Sequence, residues 1–440
     1  MDTKPKVAIP AIIKRMTLQL VIAYVLNFIG FTLLLGTMAI TGRKLLEGQG
    51  AAGVPLSLLS GVAILSALPF AKAADRIGRR AAIVIMIVFY ALGDLCGLVA
   101  IQQANGTLYL VAMGLLGVGV GAMALFSTAV TDLYPGAYKG RASGFAQLGV
   151  MAANTLGYLI GGQLVTYLGP TSVYYTAAAC QVLSIALMVG LRLEPREVAR
   201  SLQSYWPKEV FHGAATVVMA AAAATGTATG TAPERRPRSA VRLLFLWPIL
   251  LAVVVRIWNH LGTNFVNVAL PVAFNEIGYS LAAISMFMVV RALAAFVTAD
   301  FTGRIIDRYG RKIGYIGAPI VNGIGIVLIA FGGNPALLFI GCALIGFGNA
   351  IANVVPPAVC NDVTYLPERA TAVAIFGIST NIGGFIFPVP MAIILTHYGM
   401  TGLALACAAF LMIPVVLVLL LIREKSAGVF VGYEVAERHA

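Results

Sequence analysis

Hydrophobic residues make up 60% of the 440 positions and charged residues only 11%, at a mean hydropathy of +0.91. Water-soluble domains run near half apolar and a quarter charged, so most of this chain faces lipid or other membrane helices. The formal net charge of +13 does not point to nucleic acid, because no basic face interleaved with aromatic residues stands outside the apolar runs.

A helix needs roughly 20 apolar residues to cross the hydrocarbon core, and the order of such runs predicts twelve spans. The first six are 17–40, 53–71, 81–102, 107–131, 142–166 and 172–192. The second six are 243–272, 280–303, 313–332, 336–358, 370–396 and 400–422. The runs lack the period-two alternation of a lipid-facing barrel, so the expected fold is an all-α integral membrane bundle. The first run is too long for a signal-peptide core and is read as retained. Cys96, Cys180, Cys342, Cys360 and Cys407 lie far apart within or at the ends of spans, with no CxxC spacing, and read as small buried hydrophobes.

Charge orients the bundle. Of the 30 Lys and Arg residues, only Arg43 and Lys44 fall on one side of this scheme, and Arg256 and Arg291 lie inside spans. All the others gather at the termini, the 2–3, 4–5, 8–9 and 10–11 loops, and the stretch between the halves. The positive-inside rule therefore puts both termini in the cytoplasm of a multi-pass protein of the cytoplasmic membrane.

The chain also repeats itself. Asp75-Arg76-Ile77-Gly78-Arg79-Arg80 recurs 232 residues later as Asp307-Arg308-Tyr309-Gly310-Arg311-Lys312, each phrase joining two long apolar runs. At nearly the same offset, Asn27 matches Asn259, Asp132 matches Asp362, Arg141 matches Arg369, and Gly117 and Gly119 match Gly346 and Gly348. The expected organisation is a six-helix half over 1–192, a cytoplasmic linker over 193–242 and a second half with a tail over 243–440. Within the linker, 194–211 has amphipathic character, and 214–231 is almost all Ala, Thr and Gly, a tether composition.

These features resemble the major facilitator superfamily, whose 2–3 and 8–9 loops carry a Gly-x-x-x-Asp-Arg/Lys-x-Gly-Arg-Arg/Lys pattern. The second copy, from Gly303 to Lys312, fits throughout, and the first has Ala71 at its opening position. Asp132, Pro135, Gly140, Arg141 and Gly144 are similar to the family's 4–5 loop. The resemblance implies a monomeric secondary carrier without a cofactor, working by alternating access. It also implies cytoplasmic latches between the halves: Asp75, Arg79 and Asp132 in the first, and Asp307, Arg311 and Asp362 in the second. Arg76, Gly78, Arg80, Arg141, Gly303, Arg308, Gly310, Lys312 and Arg369 belong to the same gating loops. The alternative is that these loops only set topology and anchor helix ends. Two patterns of the family's drug-efflux branch are missing. Tyr158 stands where Pro is usual in the span 5 run Gly157–Gly162, and Met113 stands where span 4 would carry a buried Arg.

Ionisable groups inside a membrane are costly and are functional candidates by default. Arg256 and Arg291 sit near the middles of spans 7 and 8, where a guanidinium either grips a solute carboxylate or phosphate or ties helices together. Arg256, Asn259, His260, Thr263, Asn264 and Asn267 recur at helical spacing, a face expected to line a wet cavity. Asn27, Asn154, Asn353 and Asn381 are further lining candidates from spans 1, 5, 10 and 11. His260 and Asp94 are the candidates for exchanging a proton, and Asp300 is expected to join the second latch. The charge balance favours an anionic or neutral small solute moved across the lipid bilayer, with protons as coupling partner; multidrug or metabolite efflux by proton exchange is the alternative. A non-transporting sensor is a third class. No Ser-His-Asp order, phosphate loop, metal spacing or paired catalytic carboxylates suggests an enzyme.

Overall fold

The computed structural model describes residues 9–135, 138–206, 239–331, 334–364, 366–421, 424–426 and 429–430. Within its helices the side chains of Arg141, Asp307, Cys360, Asp362 and Arg369 lie outside that description, as does the Ala/Thr/Gly stretch of the linker.

The first half comprises α1 (Ala11–Leu45), α2 (Val54–Ile77), α3 (Arg79–Gln102), α4 (Gly106–Ala122) continued by α5 (Ala124–Asp132), α6 (Lys139–Leu168) and α7 (Ser172–Val189). Short helices α8 (Pro195–Arg200), α9 (Leu202–Tyr205) and α10 (Ala240–Leu244) lie between the halves. The second half begins with α11 (Trp247–Asn264), a π-helical turn (Phe265–Ala269) and α12 (Leu270–Glu276). It continues with α13 (Leu281–Tyr309), α14 (Arg311–Phe331), α15 (Pro335–Val363), α16 (Leu366–Ile386) and α17 (Pro388–Leu421). Two short antiparallel strands, β1 (Glu424–Ser426) and β2 (Val429–Phe430), follow in the tail.

Among the described residues, 11 helical stretches are long and apolar enough to cross a bilayer. The last of them, Gly377–Leu421, has 45 residues, or about 68 Å of helix, against a hydrocarbon core of roughly 30 Å. It is interrupted at Gly399, whose φ of 67° and ψ of −172° are not helical. Large apolar side chains such as Leu65, Val297 and Leu420 stand exposed, as they must if acyl chains cover them.

Duplication is visible in the backbone itself. Among the described residues, six glycines with positive φ form three pairs, Gly48 with Gly278, Gly78 with Gly310 and Gly169 with Gly399, each 230–232 residues apart. Gly78 (φ 96°, ψ 158°) and Gly310 (φ 101°, ψ 163°) end one helix and start the next within the two charged phrases. Only glycine occupies that region without strain, which explains its place in both phrases. Gly310→Ala is therefore expected to cost about 1–3 kcal/mol of stability and to lower the melting temperature in detergent. Gly303→Ala is its control, since no atom lies within 4 Å of the added Cβ.

The halves meet where α1 touches the π-helical turn, α12 and α13, and along two seams of close approach. In one, α6 packs on α13, where Gly162 lies against Ser285 and the Ala282 amide donates to Thr166 Oγ1 at 3.0 Å. In the other, α2 packs on α16 and the start of α17, with Gly53 pressed on the Pro388 backbone. Small residues let these backbones approach closely, the usual basis of helix association in lipid. Both close contacts lie toward the end of the bundle remote from the charged phrases. Toward the charged end, Gly144 on α6 and Gly303 on α13 have no neighbouring atom within 4 Å of a Cβ. Trp206, after α9, is buried at that same end, its Nε1 donating to the Leu133 carbonyl at 3.2 Å and its ring stacked on Tyr138. The start of the linker is thus docked on the α5–α6 turn.

Candidate functional site

The polar face of α11 turns into the bundle. Asn259, His260, Asn264 and Asn267 are all buried, and Arg256 and Thr263 are half-buried. Much of this face is hydrogen-bonded to neighbouring helices. Asn259 Nδ2 donates to Asn349 Oδ1 on α15 at 3.0 Å, and Thr263 Oγ1 donates to the same oxygen at 3.2 Å. Asn322 Nδ2 on α14 donates to Asn259 Oδ1, and Asn264 Nδ2 donates to the Gly383 carbonyl on α16 at 3.1 Å. Asn259, Thr263, Asn322 and Asn349 therefore pin α11, α14 and α15 together. Sequence reading missed Asn322, although a lone Asn in an otherwise apolar run was a visible signal.

Arg256 lies one turn from Asn259. Its Nε donates to Thr380 Oγ1 on α16 at 3.2 Å and its Nη1 to the Ala352 carbonyl on α15 at 3.5 Å. These contacts hold the guanidinium where α11, α15 and α16 converge. His260 packs against Gly383, and its Nδ1 is buried without a hydrogen-bond partner. Asn353 is exposed one residue beyond Ala352, and Asn381, next to Thr380, is half-buried.

Arg291 makes a different contact. Its Nη2 donates to the Tyr158 hydroxyl on α6 at 3.1 Å, its guanidinium lies 5.6 Å from that ring's centroid, and Tyr158 in turn donates to Asn267 Oδ1 at 3.3 Å. The chain from α13 through α6 to the π-helical turn thus crosses between the halves. It uses the Tyr that replaces the efflux-type Pro, and an Asn in the π-helical turn. That turn precedes Pro271, whose ring crowds the carbonyl of Asn267 and removes its helical donor, so the helix widens there.

In the first half Asn27 is fully buried, with its Nδ2 donating to Gln181 Oε1 on α7 at 2.6 Å, a tie within the half. Asn154 on α6 is half-buried. Asp94 on α3 is buried beside Tyr90, Tyr174 and Cys180, and neither carboxyl oxygen has a hydrogen-bond partner.

At the charged end, Arg79 pairs with Asp132 at 3.3 Å and with Asp75 at 3.4 Å, bringing the three members of the first expected latch together. All three belong to the first half. Arg80 donates to the Met188 and Val189 carbonyls at 2.9 and 2.5 Å, capping α7. Asp300 pairs with Arg304 one turn along α13 at 2.5 Å, both exposed. Asp307, Asp362, Arg141 and Arg369 are the gating residues whose side chains lie outside the described set.

The opposite end carries a closure that the sequence did not announce. Arg43 at the end of α1 lies 3.8 Å from Glu276 and donates to Thr396 Oγ1 at 3.4 Å. Thr396 also donates to the Gln49 carbonyl at 3.3 Å, and His397 Nε2 lies 2.6 Å from Gln49 Oε1. These contacts join the first half to the second above the two close seams.

A family model described as Major Facilitator Superfamily matches residues 20–258 and 252–438. The chain is 22% identical over 396 residues to the uncharacterized MFS-type transporter YddS of Bacillus subtilis, covering 86% of this chain and 85% of that one. It is 24% identical over 298 residues to the riboflavin transporter RfnT of Brucella anthropi, covering 68% and 66% respectively. Among solved structures, a D-xylose-proton symporter superposes with a TM-score of 0.69 at 15% identity, covering 95% of this chain and 98% of that one. The human organic anion transporter MFSD10 does so at 0.63 and 15%, covering 92% and 99%. Both structures share the fold.

Proposed function

The chain belongs to the Major Facilitator Superfamily and is a multi-pass membrane transporter of a small solute, and from that premise we propose that it carries an organic anion or a neutral, hydrogen-bonding metabolite by alternating access. In this reading the last long helical stretch is two crossings hinged at Gly399, giving twelve. Both termini and the charged phrases face the cytoplasm, and the membrane is the cytoplasmic one. The halves are 1–192 and 243–440, joined by 193–242, and the working unit is a monomer. The conformation described is closed on the outer side, by Arg43, Glu276 and the Gln49–His397 contact, and is the one that releases or receives solute at the cytoplasmic side.

The observation that carries the reading is the buried polar face of α11 with Arg256 at its half-buried end. A guanidinium is a planar fork of five N–H donors, the shape that grips a carboxylate or phosphate in two parallel bonds. Asn154, Asn353 and Asn381 supply donors and acceptors around it. Arg291 is the second cation that the solute meets once the bond to Tyr158 opens. Asn27, Asn259 and Asn264 set the positions of the helices that frame the site. Asp75, Arg79 and Asp132, which pair within the first half, and their repeat counterparts Asp307, Arg311 and Asp362 belong to the gating loops on the cytoplasmic side. A planar heterocycle with amide edges is the substrate type favoured by the riboflavin-transporter relative, and an Asn-rich site suits it.

Protons are the proposed coupling ion, with Asp94 and His260 as the exchanging groups. Asp94 has no donor at either oxygen, so a proton is the partner its pocket accommodates. Asp94→Asn is expected to abolish pH-gradient-driven accumulation while leaving solute exchange at equal pH intact. Uphill accumulation in the Asn variant equal to wild type would remove Asp94 from the mechanism. The alternative, efflux by proton exchange, is separated by direction. Susceptibility of an expressing strain to a dye and drug panel, with and without an uncoupler, would rise only when an exporter is de-energised.

A further inference from the structure

A groove of about 280 Å³ lies at the charged end of the bundle between the start of α1 and the segment that leaves α7. Arg15, Gln19 and Arg192 supply its polar wall, and Ile12, Met16 and Leu193 its apolar floor. We propose that this groove binds an anionic phospholipid, its phosphodiester held between Arg15 and Arg192 and one acyl chain lying along α1.

Three observations converge on that occupant. The first is charge without a partner. Arg15 and Arg192 are both exposed, and neither takes part in a hydrogen bond or ion pair among the described residues. The acids nearest in sequence pair with neither arginine. Glu194 and Glu197 form a reciprocal capping box at the start of α8, and the Glu194 carboxyl lies over Gly78 with its Oε1 buried and without a hydrogen-bond partner. The carbonyls at the end of α7 are also taken, by Arg80, so Arg192 has no capping duty there.

The second observation is the face on which Arg15 stands. Ile12, Leu18 and Ile22 are 39%, 51% and 40% exposed and follow at helical spacing on the same side of α1. In a membrane protein an exposed apolar stripe of that kind faces acyl chains. Arg15 therefore sits at the headgroup end of a lipid-facing track, and not at the mouth of the solute path between the halves.

The third is the pairing of elements. The two guanidiniums come from different elements, α1 and the segment after α7, and flank one cavity. A phosphodiester offers unesterified oxygens to both forks at once, whereas a zwitterionic headgroup brings its own cation and competes. Basic pockets between helices on the cytoplasmic side select anionic headgroups on this physical ground. Gln19, one turn deeper than Arg15, donates to a headgroup ester or glycerol oxygen.

The test uses the purified full-length protein in mild detergent, titrated with phosphatidylglycerol, phosphatidylcholine or soluble glycerol phosphate. The readouts are lipid adducts retained in native mass spectrometry and the shift in melting temperature. Phosphatidylglycerol should be retained over phosphatidylcholine, and Arg15→Gln with Arg192→Gln should lose about fivefold in affinity for each arginine removed, about 25-fold together. Lys139→Gln, which removes an exposed cation outside the groove, should change nothing. If the double variant does not fold, Gln19→Glu, which places an acid in the groove, should give the same loss. Equal retention of the two lipids, or retention by the variants at the wild-type level, overturns the proposal. So does a loss in Lys139→Gln matching that of the double variant, since it would mean diffuse attraction. Stabilisation by glycerol phosphate alone would also overturn it, by assigning the groove to a soluble phosphate.

Discussion

Arg256→Ala is expected to weaken binding of a carboxylate- or phosphate-bearing solute by one to two orders of magnitude. A hydrogen bond to a charged group contributes about 1.5–3 kcal/mol net, which corresponds to about 10- to 150-fold in affinity. Arg256→Lys should fall between, because it keeps the charge and loses the planar fork that makes two parallel bonds. The contacts of Arg256 to Thr380 and the Ala352 carbonyl join α11 to its neighbours, so the protein's melting temperature must be measured alongside affinity. The expected outcome is a modest change in melting and a large change in binding, read by isothermal titration with an organic acid panel. A variant that melts as wild type and binds the acids as wild type would take Arg256 out of the solute site.

Gly162→Val should have an effect of similar size on the conformational equilibrium. A Cβ at Gly162 would come within 2.0 Å of Ser285 Oγ and 2.8 Å of the Leu281 carbonyl, across the seam between the halves. Overpacking of this kind costs about 1–3 kcal/mol. It is charged only to the state in which α6 and α13 are pressed together at the end remote from the charged phrases. The population should therefore move about 5- to 150-fold away from that state. A cysteine introduced at Met288, fully buried one turn from Ser285, should react faster with an impermeant thiol reagent applied from that side, and turnover should fall. Ser285→Gly in the same chain should restore part of both. Unchanged labelling and unchanged turnover would mean that the seam does not close in the working cycle.

The architecture was legible because its causes are local or repeated. Apolar length marks each crossing, and a six-residue phrase copied 232 residues apart marks the duplication. The backbone then shows why the glycines of that phrase recur, since Gly78 and Gly310 take the same left-handed turn. The break at Gly399 falls in the gap between the expected spans 370–396 and 400–422, where Thr396, His397 and Tyr398 interrupt the apolar run and the backbone leaves the helix. The inward face of α11 was legible from spacing, since six polar residues at intervals of three and four cannot face lipid. What each residue does on that face was not legible. Whether an Asn is solute ligand or helix tie depends on its partners, and those of Asn27 and Asn259 lie 154 and 63 or 90 positions away. The Arg291–Tyr158–Asn267 chain and the Arg43–Glu276 closure were likewise out of reach of pattern reading. They join residues of the two halves that lie far apart in the chain.

The most direct measurement is solute counterflow in proteoliposomes, with the purified protein preloaded with one member of an organic acid and heterocycle panel and challenged with trace label outside. The account predicts transient accumulation of label for at least one organic anion or neutral hydrogen-bonding solute, with no accumulation of lipophilic cations. A folded, correctly inserted protein that exchanges only lipophilic cations, or exchanges nothing on the panel, would contradict it.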